Sequence, residues 1–501
     1  MKMISKYKKL IIGIVFFANA NSSPAQTSRP LVFAQQIIQL PSGSAPGDVS
    51  IADLNHDGKP DLAIPEHDLD TLAIFTQTAA GTFPTRPAAR YHIPNGPQTA
   101  VPIALTGYGP AGSPPPTPDD LVVGVPLYNL LYFFDNTGTA PGVLSLTARP
   151  AVGWVPSGTA PANSWLQTAP LNKDPYPDLA FLVGVNQTTR HGLGGMAVFP
   201  NSVGTNRLTP QIMYQRNFQP VDLSLAAMQV PGTFDGLMAA PATNEVVIAT
   251  GGNSSGFSDP WWLPGYQDIV PSYGIRPVAS AGGNVNGDGL TDLVAAHETN
   301  PNVVVQLRDP AIINEVVFLP NRLTYPLIGP PKQAILQDMN GDGRPELIVL
   351  LTNSFIEIFP NTGRSGQALF DAPLFYGTGA APAYLRIADI NADGLLDFAI
   401  ACPGDNTVYI LYNQTQVLAT TQSSNLPQLS VYPNPAQNEL RIAFDRATPI
   451  QRIELSDALG RSVHEWAPTE RSLNTSSLPR GIYLLRITSQ QRVFTRRVIL
   501  N

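Results

Sequence analysis

A chain of 501 residues is too long for one ordinary domain, so two or more are expected. Charged residues make up only 13 %, the formal net charge is −7, and Gly (41) and Pro (50) are abundant. That balance argues against nucleic acid as a partner, and it suits many short strands joined by turns better than a helical protein.

The N-terminus reads as a targeting segment. Lys2, Lys6, Lys8 and Lys9 precede the apolar run Leu10 to Phe17, and Ala18-Asn19-Ala20 or Ser23-Pro24-Ala25 offers a small-residue cleavage site. Residues 1–25 are therefore expected to be a secretory signal peptide. The run is too short to span a bilayer, and no other segment approaches about 20 apolar residues, so no transmembrane segment is expected. The single cysteine, Cys402, excludes an internal disulfide, and its apolar setting, Phe398 to Cys402, reads as a buried strand. An exported chain without disulfides must gain rigidity in another way.

The run "DLNHDGKPDLAI", Asp53 to Ile64, bears on that need. Its frame recurs at Asn284 to Asp292, Asp338 to Glu346 and Asp389 to Asp397, and each copy reads D/N-x-N-x-D-G-x-x-D/E ahead of an apolar run. Four copies in one frame point to a calcium loop. Calcium is a hard cation that takes six to eight oxygens at about 2.3–2.6 Å, whereas magnesium demands a tight octahedron. Side chains at positions one, three and five point inward if the chain curls around an ion. The glycine at position six supplies a sharp turn with positive φ, the carbonyl at position seven faces the ion, and the acid at position nine closes the shell. An EF-hand is excluded. It needs a glutamate at position twelve, where this chain has Ile64, Ala295, Val349 and Ile400, and its loop joins helices.

Weaker copies lie between. "PDDLVVGV" at Pro118 to Val125 keeps the final acid and the strand. "NKDPYPDLAFLVGV" keeps Asn172, Asp174 and Asp178, and "NEVVIAT" at Asn244 to Thr250 keeps only the strand. The final acids are then Asp61, Asp120, Asp178, Glu245, Asp292, Glu346 and Asp397, at a mean spacing of about 56 residues. That length holds four short strands with turns, one blade of a propeller.

These repeats resemble the FG-GAP/VCBS repeats of integrin-α-type β-propellers. Flanking pieces agree: "SGSAPGDVSIADLN" before the first loop, "TQTAAGTF" after it and "PNTGRSG" after the sixth repeat. The resemblance implies an all-β chain with a seven-bladed β-propeller over residues 26–415. It also implies about four calcium ions. The ligands would be Asp53, Asn55, Asp57, Asp61 and the carbonyl of Lys59; then Asn284, Asn286, Asp288, Asp292 and the carbonyl of Leu290. The third set would be Asp338, Asn340, Asp342, Glu346 and the carbonyl of Arg344, and the last Asp389, Asn391, Asp393, Asp397 and the carbonyl of Leu395. Asn284 removes one negative charge, so that site is expected to bind more weakly; Glu346 is one methylene longer than the usual Asp and is expected to shift the geometry. Leu31-Val32-Phe33 and Gln36 to Leu40 precede the first loop without a blade of their own. They are expected to pair near Thr407 to Leu411, because an open ring would expose two sheet edges.

After a polar linker (416–426) the pattern changes. Residues 427–501 carry ten Arg and six acids, net +4, against −15 for residues 26–426. Alternating apolar residues and turn signals predict a small Ig-like antiparallel β-sandwich. Val431-Tyr432-Pro433-Asn434-Pro435, Asp457-Ala458-Leu459-Gly460-Arg461 and Leu478-Pro479-Arg480-Gly481-Ile482-Tyr483 resemble the type IX secretion C-terminal sorting domain. That resemblance implies recognition by the type IX machinery, export across the outer membrane, and surface attachment or release.

No catalytic constellation stands out. The six His are scattered, without metal-ligand spacing, and His56 occupies a non-ligand position in a loop, where exposure is expected. In "SGFSDPWWLPGYQD", Trp261, Trp262 and Tyr266 form a candidate sugar-stacking group, or a plug at a blade junction. The favoured function is a secreted, calcium-stabilised binding or adhesion protein with a glycan or surface protein as ligand. The alternative is a secreted polysaccharide lyase or hydrolase, which would need His, Tyr, Arg or carboxylate groups converging at one mouth of the central channel.

Overall fold

The computed structural model describes residues 31–104, 120–128, 130–138, 140–153, 166–169, 171, 177–183, 194–199, 211–216, 220–228, 234–249, 267–271, 274–312, 316–363, 370–415, 430–432, 436–443, 450–457, 461–489 and 492–500. The expected signal peptide, the linker, and Trp261, Trp262 and Tyr266 lie outside them.

The described residues are all-β apart from two 3-10 turns, His67–Leu69 and Pro126–Tyr128. Residues 33–413 form seven antiparallel sheets in succession. The second strands carry the apolar runs noted above: Asp61–Glu66, Asp120–Val125, Asp178–Val183, Asp235–Ala240, Asp292–Thr299, Glu346–Leu351 and Asp397–Cys402. In the first, second, fourth, sixth and seventh of these, all six residues are buried. Such strands are apolar on both faces because each sheet is covered on both sides.

The cores show what covers them. Leu62 and Ile64 of sheet one pack with Ile390, Ala399 and Ile410 of sheet seven. The intervening Ala63 packs instead with Leu121 and Val123 of sheet two. Further clusters join sheets two and three, three and four, four and five, five and six, and six and seven. Fully burying one such Val, Leu or Ile contributes about 1.5–3 kcal/mol, so these interfaces hold the sheets in order.

Sheet seven is completed from the N-terminus. Phe33–Gln39 pairs antiparallel with Thr407–Asn413, from Phe33 opposite Asn413 to Gln39 opposite Thr407. This is the pairing expected from the unpartnered first strand. Leu31 continues into the apolar cluster between sheets six and seven.

The repeat frame needs one correction. The acid that opens the second strand of sheet four is Asp235, not Glu245. Glu245 opens the third strand, Glu245–Ala249, of that sheet. With Asp235 the steps between successive acids become 59, 58, 57, 57, 54 and 51 residues.

Cys402 is fully buried at the end of its strand. Burial pushes its thiol up to about 12. A thiol reagent is therefore expected to leave the native protein unmodified and to label one thiol per chain once it is unfolded. Rapid labelling of the native protein would contradict the packing.

The tail forms two further sheets. One joins Ser430–Tyr432, Glu439–Ala443 and Ser472–Asn474. The other orders Ser462–Trp466, Arg452–Ser456, Gly481–Ser489 and Arg492–Leu500. Leu440, Ile442 and Leu473 of the first share one core with Ile453, Leu455, Leu485, Ile487 and Val498 of the second.

Candidate functional site

Each of the four acidic loops joins the first strand of its sheet to the second. Their side-chain oxygens turn inward onto shared backbone donors. Asp53 Oδ1 and Asn55 Oδ1 both accept from Asp57 N (3.1 and 3.0 Å), Asp53 Oδ2 accepts from Gly58 N, and Asp57 Oδ1 accepts from Lys59 N. Asn284 and Asn286 converge in the same way on Asp288 N, as do Asp338 and Asn340 on Asp342 N and Asp389 and Asn391 on Asp393 N. Positions one, three and five are thus brought together in every loop. The expected positive φ occurs at Gly58, Gly289, Gly343 and Gly394. Position four is left-handed too, including the non-glycine residues His56 (φ 56°) and Ala392 (φ 59°). His56 is half-buried rather than exposed.

The acid at position nine does something the spacing did not predict. It is buried, and its oxygens hold two strands together. Asp61 Oδ2 accepts from Leu54 N (3.1 Å), while Oδ1 accepts from Gln77 N (2.9 Å), at the end of the third strand. Asp292 bonds Val285 N and Arg308 N, and Asp397 bonds Ile390 N and Asn413 N. Glu346, one methylene longer, differs in part: Oε2 accepts from Met339 N, and Oε1 takes the side-chain amide of Asn340 (2.8 Å) in addition to the backbone N–H of Asn361 that faces the carboxylate. The sheets without an acidic loop keep the anchor. Asp178 accepts from Leu171 N and Asp235 from Met228 N, and Asp120 accepts from Asn136 N.

A second bond links five of the seven anchors to a neighbouring sheet. Asn136 Nδ2 donates to Leu54 O, Asn361 Nδ2 to Val285 O and Asn413 Nδ2 to Met339 O, each at 2.8 Å. Arg308 donates to Met228 O. Gln77 of sheet one donates to Ile390 O of sheet seven (2.7 Å). The same loop residue therefore gives its N–H to its own acid and its carbonyl to a neighbouring sheet.

The electrostatics follow from that packing. Burial pushes Asp61, Asp292 and Asp397 up to about 6, and Glu346 to about 7. The bonded N–H groups oppose this, and the other acids of each loop, such as Asp57 and Asp53 beside Asp61, add to it. Two loops carry their own cation: Lys59 pairs with Asp57, and Arg344 lies 3.3 Å from Asp342. Among the described residues no three His, Cys, Asp or Glu groups form a metal cluster by themselves. The loops mix Asp with Asn, and this all-oxygen donor set fits a hard cation rather than a transition metal.

A polar cluster sits where the first strands begin. Arg386 grips Asp48 with two bonds, Nε to Oδ1 (3.0 Å) and Nη2 to Oδ2 (2.7 Å), and Thr99 Oγ1 donates to the same carboxylate. The Arg386 guanidinium lies 4.3 Å over the Tyr384 ring. Gln167 of sheet three reaches Tyr384 Oη at 2.7 Å, and Asp222 accepts from Ser280 N and Oγ. Burial raises Asp222 to about 7 against its Ser280 bonds and Lys332, and Tyr384 to about 12. Beside this cluster lies a cavity of about 430 Å³, walled by the first strands of sheets three to seven. A larger hollow of about 680 Å³ near Gln39–Pro41 and Thr85–Arg90 has only Arg86 and Arg90 as charged groups, and Arg90 is paired with Glu66. The cluster escaped sequence reasoning. Asp48, Asp222, Gln333 and Tyr384 each precede the anchor acid of their sheet by 13 residues, and that common offset was the available signal.

In the tail, Asp457 and Arg461, the two ends of one of the sorting motifs, bond one another. Arg461 N and Nε donate to the Asp457 carboxylate, and Asp457 N donates to Arg461 O. Tyr483 Oη donates to Pro479 O (2.7 Å), pinning the turn that precedes its strand. Residues 430–501 match the family model described as a secretion system C-terminal sorting domain, and residues 338–400 match that of an FG-GAP-like repeat. The chain carries an FG-GAP-like repeat and a type IX sorting domain. The sorting domain implies recognition by the type IX machinery, and secretion or attachment at the cell surface. A "T-cell immunomodulatory protein homolog" of Plasmodium yoelii yoelii is 25 % identical over 169 residues, 28 % of this chain. That match spans only 24 % of the relative's length. Among solved structures, BBS1N in complex with ARL6DN has a TM-score of 0.50 at 12 % identity, covering 78 % of this chain and 99 % of its own. Saccharomyces cerevisiae Sqt1 has a TM-score of 0.44 at 9 % identity, covering 78 % of this chain and 100 % of its own. Among the described residues no helix is long and apolar enough to cross a membrane.

Proposed function

We propose that the protein is an exported binding protein built as a seven-bladed, calcium-stabilised β-propeller, with a glycan or a surface protein as ligand. The observation that carries the architecture is the circular order of the apolar clusters, in which sheet seven packs on sheet one as every other sheet packs on its successor. The N-terminal strand in sheet seven and the Gln77 bond to Ile390 O support the same reading.

Calcium is supported by the donor set. Three inward-turned side chains and a buried acid recur in four loops, with only oxygen on offer. Elemental analysis after dialysis against millimolar calcium is expected to find about four ions per chain. At the affinities usual for extracellular modules, each stabilises by about 1 kcal/mol. The loop Asp389 to Asp397 is expected to bind most tightly, because its position-seven residue is Leu395, whereas Lys59 and Arg344 already neutralise part of theirs. Asp393→Ala should therefore cost one ion and lower the melting temperature in calcium more than Asp288→Ala does. Equal melting of both variants with and without chelator would count against the metal.

One observation favours the enzymatic alternative: Tyr384, Arg386, Asp48 and Asp222 do gather beside a cavity. Their pairing favours binding over catalysis. Asp48 is held by Arg386, Tyr384 is pushed up to about 12, and Asp222, raised to about 7 by burial, already accepts from Ser280 N and Oγ. A glycan array run with a turnover assay on the same polysaccharides is expected to show retention without cleavage. Release of reducing or unsaturated ends would sink the binding reading.

A further inference from the structure

We propose that the cavity between the first strands of sheets three to seven receives a neutral, hydroxyl-rich ligand of one or two sugar rings. The proposal deepens the binding-protein reading and rests on it.

Size comes first. The cavity measures about 430 Å³, and small-ligand sites run from about 300 to 1,000 Å³. Its wall mixes apolar side chains such as Leu225, Ile335 and Leu336 with the polar Ser224 and Gln337, and all five keep partial exposure. A sugar needs both kinds of wall, since its ring carbons pack on one and its hydroxyls bond the other.

Charge then narrows the class. Arg386 is held at both ends of its fork by Asp48. Lys332 and Asp222 attract one another across the same region. Each cation already faces a carboxylate. An anionic or cationic ligand would find its counter-charge taken and would bury a charge without compensation. A hydroxyl both donates and accepts, so it joins such a network without displacing a member.

An orphaned group supplies the third argument. Ser224 Oγ is buried beside the cavity and has no hydrogen-bond partner. On a residue that lines the cavity, this hydroxyl keeps donor and acceptor capacity that a sugar hydroxyl can take after a turn about its χ1. The bond from Gln167 to Tyr384 joins sheets three and seven, which are not neighbours, and so fixes the spacing of two opposite walls. A preformed site follows from that bracing.

The test is calorimetric titration of the full chain with glucose, galactose, mannose, xylose, cellobiose and lactose, beside glucuronate and glucosamine. At least one neutral sugar is expected to bind, with the charged pair about tenfold weaker or worse. Ser224→Ala should weaken that sugar about tenfold, and Ser224→Leu, which fills the space, should abolish it. If Ser224→Leu does not fold, Ser224→Ala decides alone. Absence of binding by every neutral sugar would overturn the proposal, as would affinity unchanged in Ser224→Ala. An array signal that survives these substitutions would overturn the cavity while leaving the binding-protein reading intact.

Discussion

Asp235→Ala is expected to destabilise the protein by about 2–3 kcal/mol, and Glu245→Ala by less than about 0.5. Asp235 is buried and accepts from Met228 N at 2.8 Å. Met228 in turn gives its carbonyl to Arg308 of sheet five and its side chain to the cluster between sheets four and five. Removing the carboxylate leaves a buried N–H unpaired and frees the residue through which the two sheets are joined. Glu245 is only half-buried at a strand start. Asp61→Ala or Asp397→Ala strips two backbone donors at once and is expected to cost about 3–5 kcal/mol even in chelator. Asp235→Asn keeps an acceptor oxygen and should recover part of the loss. Urea midpoints at unchanged slope would measure all five variants. Equal midpoints for Asp235→Ala and Glu245→Ala would remove the anchor from the account.

The same pair of residues shows how far the sequence was legible. The four acidic loops could be read because their oxygens lie within nine residues, and local spacing carries that chemistry. The strand after each loop was legible from its unbroken apolar run. Sheet four was misread because its second strand is Asp235-Gly236-Leu237-Met238-Ala239-Ala240. Gly and Ala are poor strand formers, and Glu245-Val246-Val247-Ile248 beside it, with three β-branched residues in a row, reads as the stronger strand. Small residues are tolerated there because neighbouring sheets crowd both faces: a Cβ on Gly236 would come within 2.6 Å of the Met196 sulfur of sheet three. Local propensity cannot report a neighbour 40 residues away. The left-handed His56 and Ala392 were hidden for the opposite reason, since the loop's hydrogen bonds impose a conformation those residues disfavour alone. The cavity cluster was hardest to see, because its members share only an offset from the anchor acids and meet once seven sheets are in order.

Deletion of residues 426–501 is expected to abolish export across the outer membrane while leaving the seven-sheet region folded. The sorting domain has its own core, in which Leu440, Ile453, Leu473 and Leu485 are fully buried within the tail's two sheets. It meets the seven-sheet region where Arg492–Leu500 lies against Leu374–Gly377, and through two side chains of Gly481–Ser489. Leu484 enters the cluster of sheets five and six, and Arg486 lies 5.5 Å over the Phe355 ring. Loss of the buried leucine, of the cation–π contact on the buried Phe355 ring and of the strand contact remains small beside seven intersheet cores. The truncated chain should therefore retain its urea transition nearly unchanged yet accumulate in the periplasm of a type IX-competent host. The family match that implies recognition lies within residues 430–501, so export is expected to depend on that segment. The complementary fusion separates signal from folding defect: residues 427–501 joined to a foreign periplasmic protein should carry it to the surface. Arg461→Ala, which removes the Nε bond and the Nη2 ion pair to the Asp457 carboxylate, should reduce that transfer without unfolding the cargo. Fractionation of cells, with surface protease treatment, reads each case. Normal surface levels of the truncated chain would mean that residues 430–501 are only an accessory sandwich.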